Sequence, residues 1–250
     1  ISVYLYTNEN ENLPPHAIPA ALDIKSMYTN IPIDEGISAM EEKLNQRSDQ
    51  TIPTSFLIQL LTFILLCNVF EFDKEFWLQL LGTAMGTRVG PTYANIFMDK
   101  LETTMLENCP DHLKHLLFTW KRFIDDVFII WLGSLEQLEE FHTYLNSVHK
   151  TIKFDELQLD TNTNSCNFLD LNIRIDQMGK IVTDLHKKET SIPSALLPSS
   201  AHPEHVSSNV VYSMAFRLLR ICSSPELLNY RLTELQNEVL IPRSYKNFCN

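Results

Sequence analysis

Cysteine is too sparse and too scattered in this sequence to build a scaffold. The five residues, Cys67, Cys109, Cys166, Cys222 and Cys249, form no C-x-x-C pair. Neither a disulfide framework nor a zinc knuckle is therefore indicated, and a reducing, intracellular setting is expected. The opening residues lack the basic segment, apolar stretch and small-residue cleavage site of a signal peptide. They also lack an initiating methionine, which suggests a piece of a longer polypeptide. No internal repeat or low-complexity tract is visible. The most apolar run, SFLIQLLTFILLCNVF over residues 55–70, carries Gln59 and Asn68. It is shorter than the roughly 20 residues of a membrane span, and reads as a helix buried against a sheet.

Basic residues are few: 20 Lys and Arg face 31 Asp and Glu, a net charge of −11. That balance by itself points away from nucleic acid. The charge is unevenly spread, however. Residues 1–178 hold 12 basic and 25 acidic side chains (−13), whereas residues 179–250 hold 8 and 6 (+2). Any surface for a phosphate backbone is expected in the last third.

What is present is enough apolar content, 44% of 250 residues, to bury a substantial core. Residues 1–16 are polar and end in proline, a lead-in loop. Ile18–Ile24 reads as a buried strand ending at Asp23. Helices are expected over Glu35–Gln46, Ser55–Leu66, Pro91–Glu107 and Leu135–His149 from their apolar spacing and flanking residues. VFEFDKEFWLQL reads as a hairpin turning at Asp73-Lys74, and Lys121–Trp131 as strand–turn–strand. A strand near Lys153 and a hairpin through Phe168–Ile175 follow. Beyond Ser199 the pattern becomes helical, with Ser208–Cys222 and Pro225–Leu240, so a boundary near residue 195 is expected.

The chemistry centres on Asp125-Asp126 inside FIDDVFII. Two carboxylates within an apolar strand pair are costly to desolvate unless a cation compensates them. Hard divalent cations prefer such oxygen ligands. An Asp-Asp pair alone is common and would also suit an exposed turn. Asp23, at the end of its own apolar strand, adds a third carboxylate. If the two strands are neighbours, Asp23 and Asp125 meet at one sheet edge and share two metal ions, the arrangement that promotes phosphoryl displacement.

LDIKSMYTNIP (22–32), GTAMGTRVGPTYANIFM (82–98), WKRFIDDVFIIW (120–131) and NFLDLNI (167–173) stand in the order of reverse-transcriptase motifs A, B, C and E. Their wording resembles the Penelope-like retroelement branch, related to telomerase reverse transcriptases, as do TDL at 183–185 and RICSS at 220–224. The resemblance runs from about Leu22 to Tyr245. It implies an α+β right-hand polymerase fold: a palm of small antiparallel sheet backed by helices over residues 17–195, with a helical thumb over 196–250.

By the same resemblance, Asp23, Asp125 and Asp126 are the catalytic and metal-holding carboxylates, for two Mg²⁺ ions or Mn²⁺. Ile24, Tyr28, Gly86 and Lys153 belong to the nucleotide site. Tyr28 would exclude a 2′-hydroxyl, and Gly86 would let the backbone approach the nucleotide. Lys153 would protonate the pyrophosphate, although a solvated strand lysine is the alternative. Met85 stands where many reverse transcriptases have glutamine, a departure shared within the branch. Phe168 and Leu169 would support the primer end. Arg217 and Arg220, three apart on one helix face, would contact the RNA–DNA hybrid, with Lys187 and Lys188 as further candidates.

The implied partners are an RNA template, a DNA primer and deoxynucleoside triphosphates, with no membrane and a nuclear location. Upstream fingers and a downstream GIY-YIG endonuclease are expected in the full-length protein, so the isolated chain should polymerise poorly. A catalytically silent nucleic-acid-binding remnant is the alternative. A nucleotide cyclase is disfavoured, since it has no place for the motif B segment or the arginine-bearing helix.

Overall fold

The computed structural model describes residues 13–188 and 195–245. The lead-in over residues 1–12 and Cys249 lie outside the described residues, and the boundary expected near residue 195 abuts the undescribed 189–194. The chain separates into two compact units, residues 21–157 and residues 1–20 with 158–250.

In the first unit, with its edge strand beginning three residues before it, a three-stranded sheet has the order β1 (Ile18–Asp23), β5 (Asp126–Trp131), β4 (Leu117–Phe123). The central strand β5 is the apolar run after the acidic pair, and Val127 to Trp131 are all buried. β4 and β5 pair antiparallel from Phe123↔Asp126 outward, leaving Ile124-Asp125 as a two-residue turn. β2 (Val69–Phe72) and β3 (Glu75–Leu78) form the expected hairpin around Asp73-Lys74, both residues at positive φ.

Four long helices complete the unit: α1 (Ile33–Asn45), α2 (Thr54–Leu66), α3 (Gly90–Glu107) and α4 (Leu135–Val148). α3 starts where Pro91 pre-sets φ for a first turn. α4 starts at a capping box, in which Gln137 N–H donates to Ser134 Oγ and Gln137 Oε1 accepts from Ser134 N–H. Its apolar face covers the sheet: Phe141 stacks on Trp131 at 5.0 Å, and Trp120 meets Phe141 and Phe154 edge-on.

α2 departs from expectation. Only Leu61 and Leu65 are buried, while Phe56, Leu60, Phe63, Ile64 and Leu66 are exposed. This helix, apolar all round, packs mainly against α1 and buries the stripe that faces it. No helix among the described residues is long and apolar enough to cross a membrane.

In the second unit, β6 (Ser165–Phe168), β7 (Leu171–Ile175) and β8 (Ile181–Leu185) form an antiparallel meander. The first two strands are the hairpin expected from the sequence, whereas the third was not foreseen. α5 (Glu204–Ile221) and α6 (Pro225–Leu235) follow, and α6 continues into a π-helical turn over Gln236–Leu240. Val211, Leu218, Leu235, Val239, Leu240 and Tyr245 make their shared core.

TDL and RICSS, far apart in sequence, join here. Thr183 Oγ1 donates to Ile221 O at 2.6 Å, Thr183 N–H to Ser223 Oγ at 3.0 Å, and Ser223 N–H to Thr183 O at 3.0 Å.

Candidate active site

Asp23 ends β1 and is flanked on both sides. Ile24 N–H donates to Asp125 O at 3.0 Å, tying the end of β1 to the turn between β4 and β5. On the other side, Lys25 N–H donates to Lys153 O (2.8 Å) and Asp155 N–H to Asp23 O (2.8 Å), an isolated antiparallel bridge centred on Ile24 and Phe154. The strand expected near Lys153 is reduced to this bridge.

Asp23, Asp125 and Asp126 are all half-buried. Burial first, then the charges of Asp125, Asp126 and Asp155, raise the pKa of Asp23 above the ordinary aspartate value. Asp125 and Asp126, singled out in the sequence, and also Asp155 thus lie near enough to Asp23 for their charges to act on its carboxyl. Asp155 is also paired with Lys25 Nζ at 3.0 Å. The sequence carried a signal for it: in TIKFDEL, Asp155 and Lys153 alternate on one side of an extended segment.

The turn is strained. Ile124 adopts φ +59°, a left-handed conformation rare for a β-branched residue. Its carbonyl accepts from Arg122 Nη1 at 3.0 Å. Arg122 in turn donates through Nε to Glu102 Oε1 (2.7 Å) and through Nη1 to Asn95 Oδ1 (2.8 Å), both residues on α3. The sequence reading missed this network, because nothing in the spacing of KRF and an acid on another element marks them as partners.

In the loop before α3, Gly82 and Gly86 both have positive φ. Thr83 N–H donates to Tyr28 O at 2.8 Å, which joins the loop before α3 to the end of the Asp23 segment. A Cβ at Gly90 would stand 3.6 Å from Tyr28 Cε1, so the Tyr28 ring lies beside the start of α3. A Cβ at Gly86 would meet nothing within 4 Å. The space beside that backbone is open.

Lys153 is placed differently from a proton donor in waiting. Its Nζ donates to Asn146 O (2.5 Å) and His149 O (2.7 Å), neutralising the carbonyl end of α4.

In the second unit, Phe168 is buried at the end of β6, and Leu169 sits at φ +56° in the β6–β7 turn. Arg217 is engaged by Asp170, with Nε and Nη2 at 3.0 and 2.7 Å from Oδ2. Arg220 lies over the Phe216 ring, 4.5 Å from its centroid. Lys187 is held by Glu234 (2.7 Å) and Glu238 (3.1 Å).

Among the described residues, no group of three or more His, Cys, Asp or Glu is already arranged to hold a metal ion. The donor chemistry nevertheless fits a divalent cation. It consists of anionic oxygens alone, at a position where their mutual repulsion disfavours the ionisation of Asp23.

The family model described as "Reverse transcriptase (RNA-dependent DNA polymerase)" matches residues 5–175. A second, "Animal helix-turn-helix domain", matches residues 195–247, the segment of α5 and α6. No curated protein matches.

Among solved structures, telomerase from Candida albicans in complex with a fragment of telomeric RNA is similar at TM-score 0.62 and 11% identity. That likeness covers 90% of this chain and 39% of the telomerase. The Sicinivirus 3Dpol RNA-dependent RNA polymerase follows at 0.56 and 14%, covering 90% and 47%. A truncated apo telomerase from Candida tropicalis gives 0.51 and 13%, covering 71% and 36%. The chain thus spans less than half the length of each. These likenesses carry the fold, which is the α+β right-hand polymerase palm.

Proposed function

The chain belongs to the reverse transcriptase (RNA-dependent DNA polymerase) family, and from that membership we propose that it extends a DNA primer on an RNA template as part of a Penelope-like retroelement polymerase. The observation that carries the reading is the junction of Asp23 with the Asp125 turn. A backbone hydrogen bond of 3.0 Å fixes the two segments together, and the neighbouring charges act on the Asp23 carboxyl.

In this reading Asp23, Asp125 and Asp126 hold two Mg²⁺ ions, with Mn²⁺ as a substitute. When bound, these supply charge neutralisation to the attack of a primer 3′-hydroxyl on the α-phosphate and to departing pyrophosphate. The chain's own residues position the reactants. The Tyr28 ring, beside α3, excludes a 2′-hydroxyl by shape. Gly86 presents bare backbone to the nucleotide, and its open surroundings leave room for one. Ile24 lines the same site. Lys153 reaches pyrophosphate only by leaving the α4 carbonyls that its ammonium now caps.

In the second unit, the β6–β7 turn with Phe168 and Leu169 supports the primer end. α5 serves as a thumb helix, with Arg220 and Arg217 toward phosphates. Arg217 must share its guanidinium with Asp170. Basic residues that grip a triphosphate are expected from upstream fingers.

The test is single-nucleotide incorporation on an RNA template with a DNA primer in Mg²⁺ or Mn²⁺, comparing the chain with Asp125→Asn. Slow, metal-dependent incorporation lost in the variant is expected. Incorporation that survives Asp125→Asn overturns the reading. Hybrid binding without any incorporation favours the silent remnant.

A further inference from the structure

Arg122 does more than fill a buried ion pair. Its side chain and that of Glu102 are 10% and 13% exposed, so the fork is held in a low-dielectric setting where its directions are fixed. Glu102 Oε1 also accepts from Trp120 Nε1 at 3.0 Å, which leaves that carboxylate little freedom to turn. Asn95 and Glu102 stand two helical turns apart on α3, and each accepts from a different nitrogen of the guanidinium. The guanidinium is thus set by α3 before it reaches the turn. What it grips there is Ile124 O, the carbonyl of the peptide bond leading into Asp125.

The opposite side of Asp125 is gripped too, since its own carbonyl accepts from Ile24 N–H. Both carbonyls flanking Asp125 are therefore held, one by Arg122 of β4, whose guanidinium α3 sets, and the other by Ile24 from the end of β1, which confines the backbone that carries its side chain. The left-handed Ile124 explains why such fixing is needed: a backbone of this kind persists only where its surroundings over-determine it.

Resting on the polymerase reading, we propose that Arg122 is a positioning residue for Asp125. It transmits the placement of α3, the helix that follows the Gly86 loop, to the cation-holding carboxylate. Lysine at this position keeps a charge for Glu102 but lacks the fork that holds Glu102 through Nε while Nη1 reaches Asn95 and Ile124 O.

The experiment uses the purified full chain and its Arg122→Lys variant. Mn²⁺ affinity is followed by electron paramagnetic resonance titration, amide hydrogen exchange by NMR, and thermal unfolding by circular dichroism. Arg122→Lys should weaken Mn²⁺ binding about ten-fold or more, the scale seen when a group orienting a metal ligand is lost. The Ile24 amide, bonded to Asp125 O, should lose protection by a similar factor while α3 amides keep theirs. A purely structural role would instead lower protection across the unit together with the melting temperature.

Mn²⁺ affinity within two-fold of the native chain in a folded Arg122→Lys overturns the proposal. If Arg122→Lys does not fold, Asn95→Ala, which leaves the Glu102 pair intact, carries the same comparison with the same two outcomes. Native Mn²⁺ affinity no better than that of Asp125→Asn overturns the polymerase reading itself, whatever Arg122 does, and this proposal with it.

Discussion

Replacing Gly36 with alanine should destabilise the protein although it improves a helix. Gly36 lies in α1 against Tyr93 of α3, and an added Cβ would stand 1.9 Å from Tyr93 Oη, 2.3 Å from Cζ and 2.7 Å from Cε2. Ordinary contact begins near 3.4 Å, so the ring must retreat by roughly 1.5 Å. Tyr93 is fully buried, so it can move only by pushing α1 and α3 apart or displacing its neighbours.

Overpacking of this kind costs about 3 kcal/mol, at the upper end of the usual range. Alanine regains about 1 kcal/mol of helix propensity over glycine, which leaves a net loss of about 2 kcal/mol. For a chain of this size that is about 4–8 °C in melting temperature, measured by circular dichroism. Tyr93→Phe removes the nearest of the three atoms. The hydroxyl it removes has only a 3.5 Å contact with Pro32 O. The double variant should therefore be more stable than the sum of the single changes by about 1 kcal/mol. A Gly36→Ala protein that melts at or above the native temperature would refute the packing argument, because a glycine with free space beside it gives that result.

Asp23→Asn should raise the melting temperature of the metal-free protein at neutral pH while abolishing nucleotide incorporation. Burial and the neighbouring acids raise the folded pKa of Asp23, so the folded state holds its proton more tightly than the unfolded chain. Stability from this group then falls as pH rises from the ordinary value of 3.8 through the folded one. Added Mg²⁺ should recover it in the native chain only, and a variant that melts lower than native at pH 7 without metal contradicts this. Gly86→Ala, at φ +99° with open space around it, should cost about 1–2 kcal/mol of stability through backbone strain alone and raise the KM for nucleotide many-fold; an unchanged KM would remove Gly86 from the nucleotide site.

Asp184→Asn breaks a bidentate pair with Arg231, with Nε and Nη2 at 2.8 and 2.7 Å, and should cost about 2–3 kcal/mol in urea unfolding. Burial opposes ionisation of Asp184, but bonds from Arg231 and the Leu185 amide outweigh it and lower its pKa. The native chain's advantage over Asp184→Asn should therefore be full above 3.8 and vanish as pH falls through the folded value. A difference that persists in acid would argue against the ion pair as its source.

Local pattern carried much of this protein. The apolar run after Asp125-Asp126 became the buried central strand, because five consecutive apolar residues suit a strand covered on both faces. The Asp73-Lys74 turn and the proline opening α3 were legible because backbone chemistry within a few residues dictates them. The three aspartates drew notice by residue type and apolar flanks, and their roles came from the resemblance of the segments around them to reverse-transcriptase motifs.

Tertiary structure decided the remainder. α2 carries an apolar surface all around, and only the placement of α1 determined which stripe is buried. Lys153 could have faced solvent or substrate, and the carbonyl end of α4 claimed it. Asp155 and the Arg122–Glu102–Asn95 fork act on the aspartates through contacts between elements remote in the chain. A sequence records which groups need partners, since burial makes an unpaired charge costly. Which partner each one finds depends on how strands and helices pack, and no local spacing encodes that.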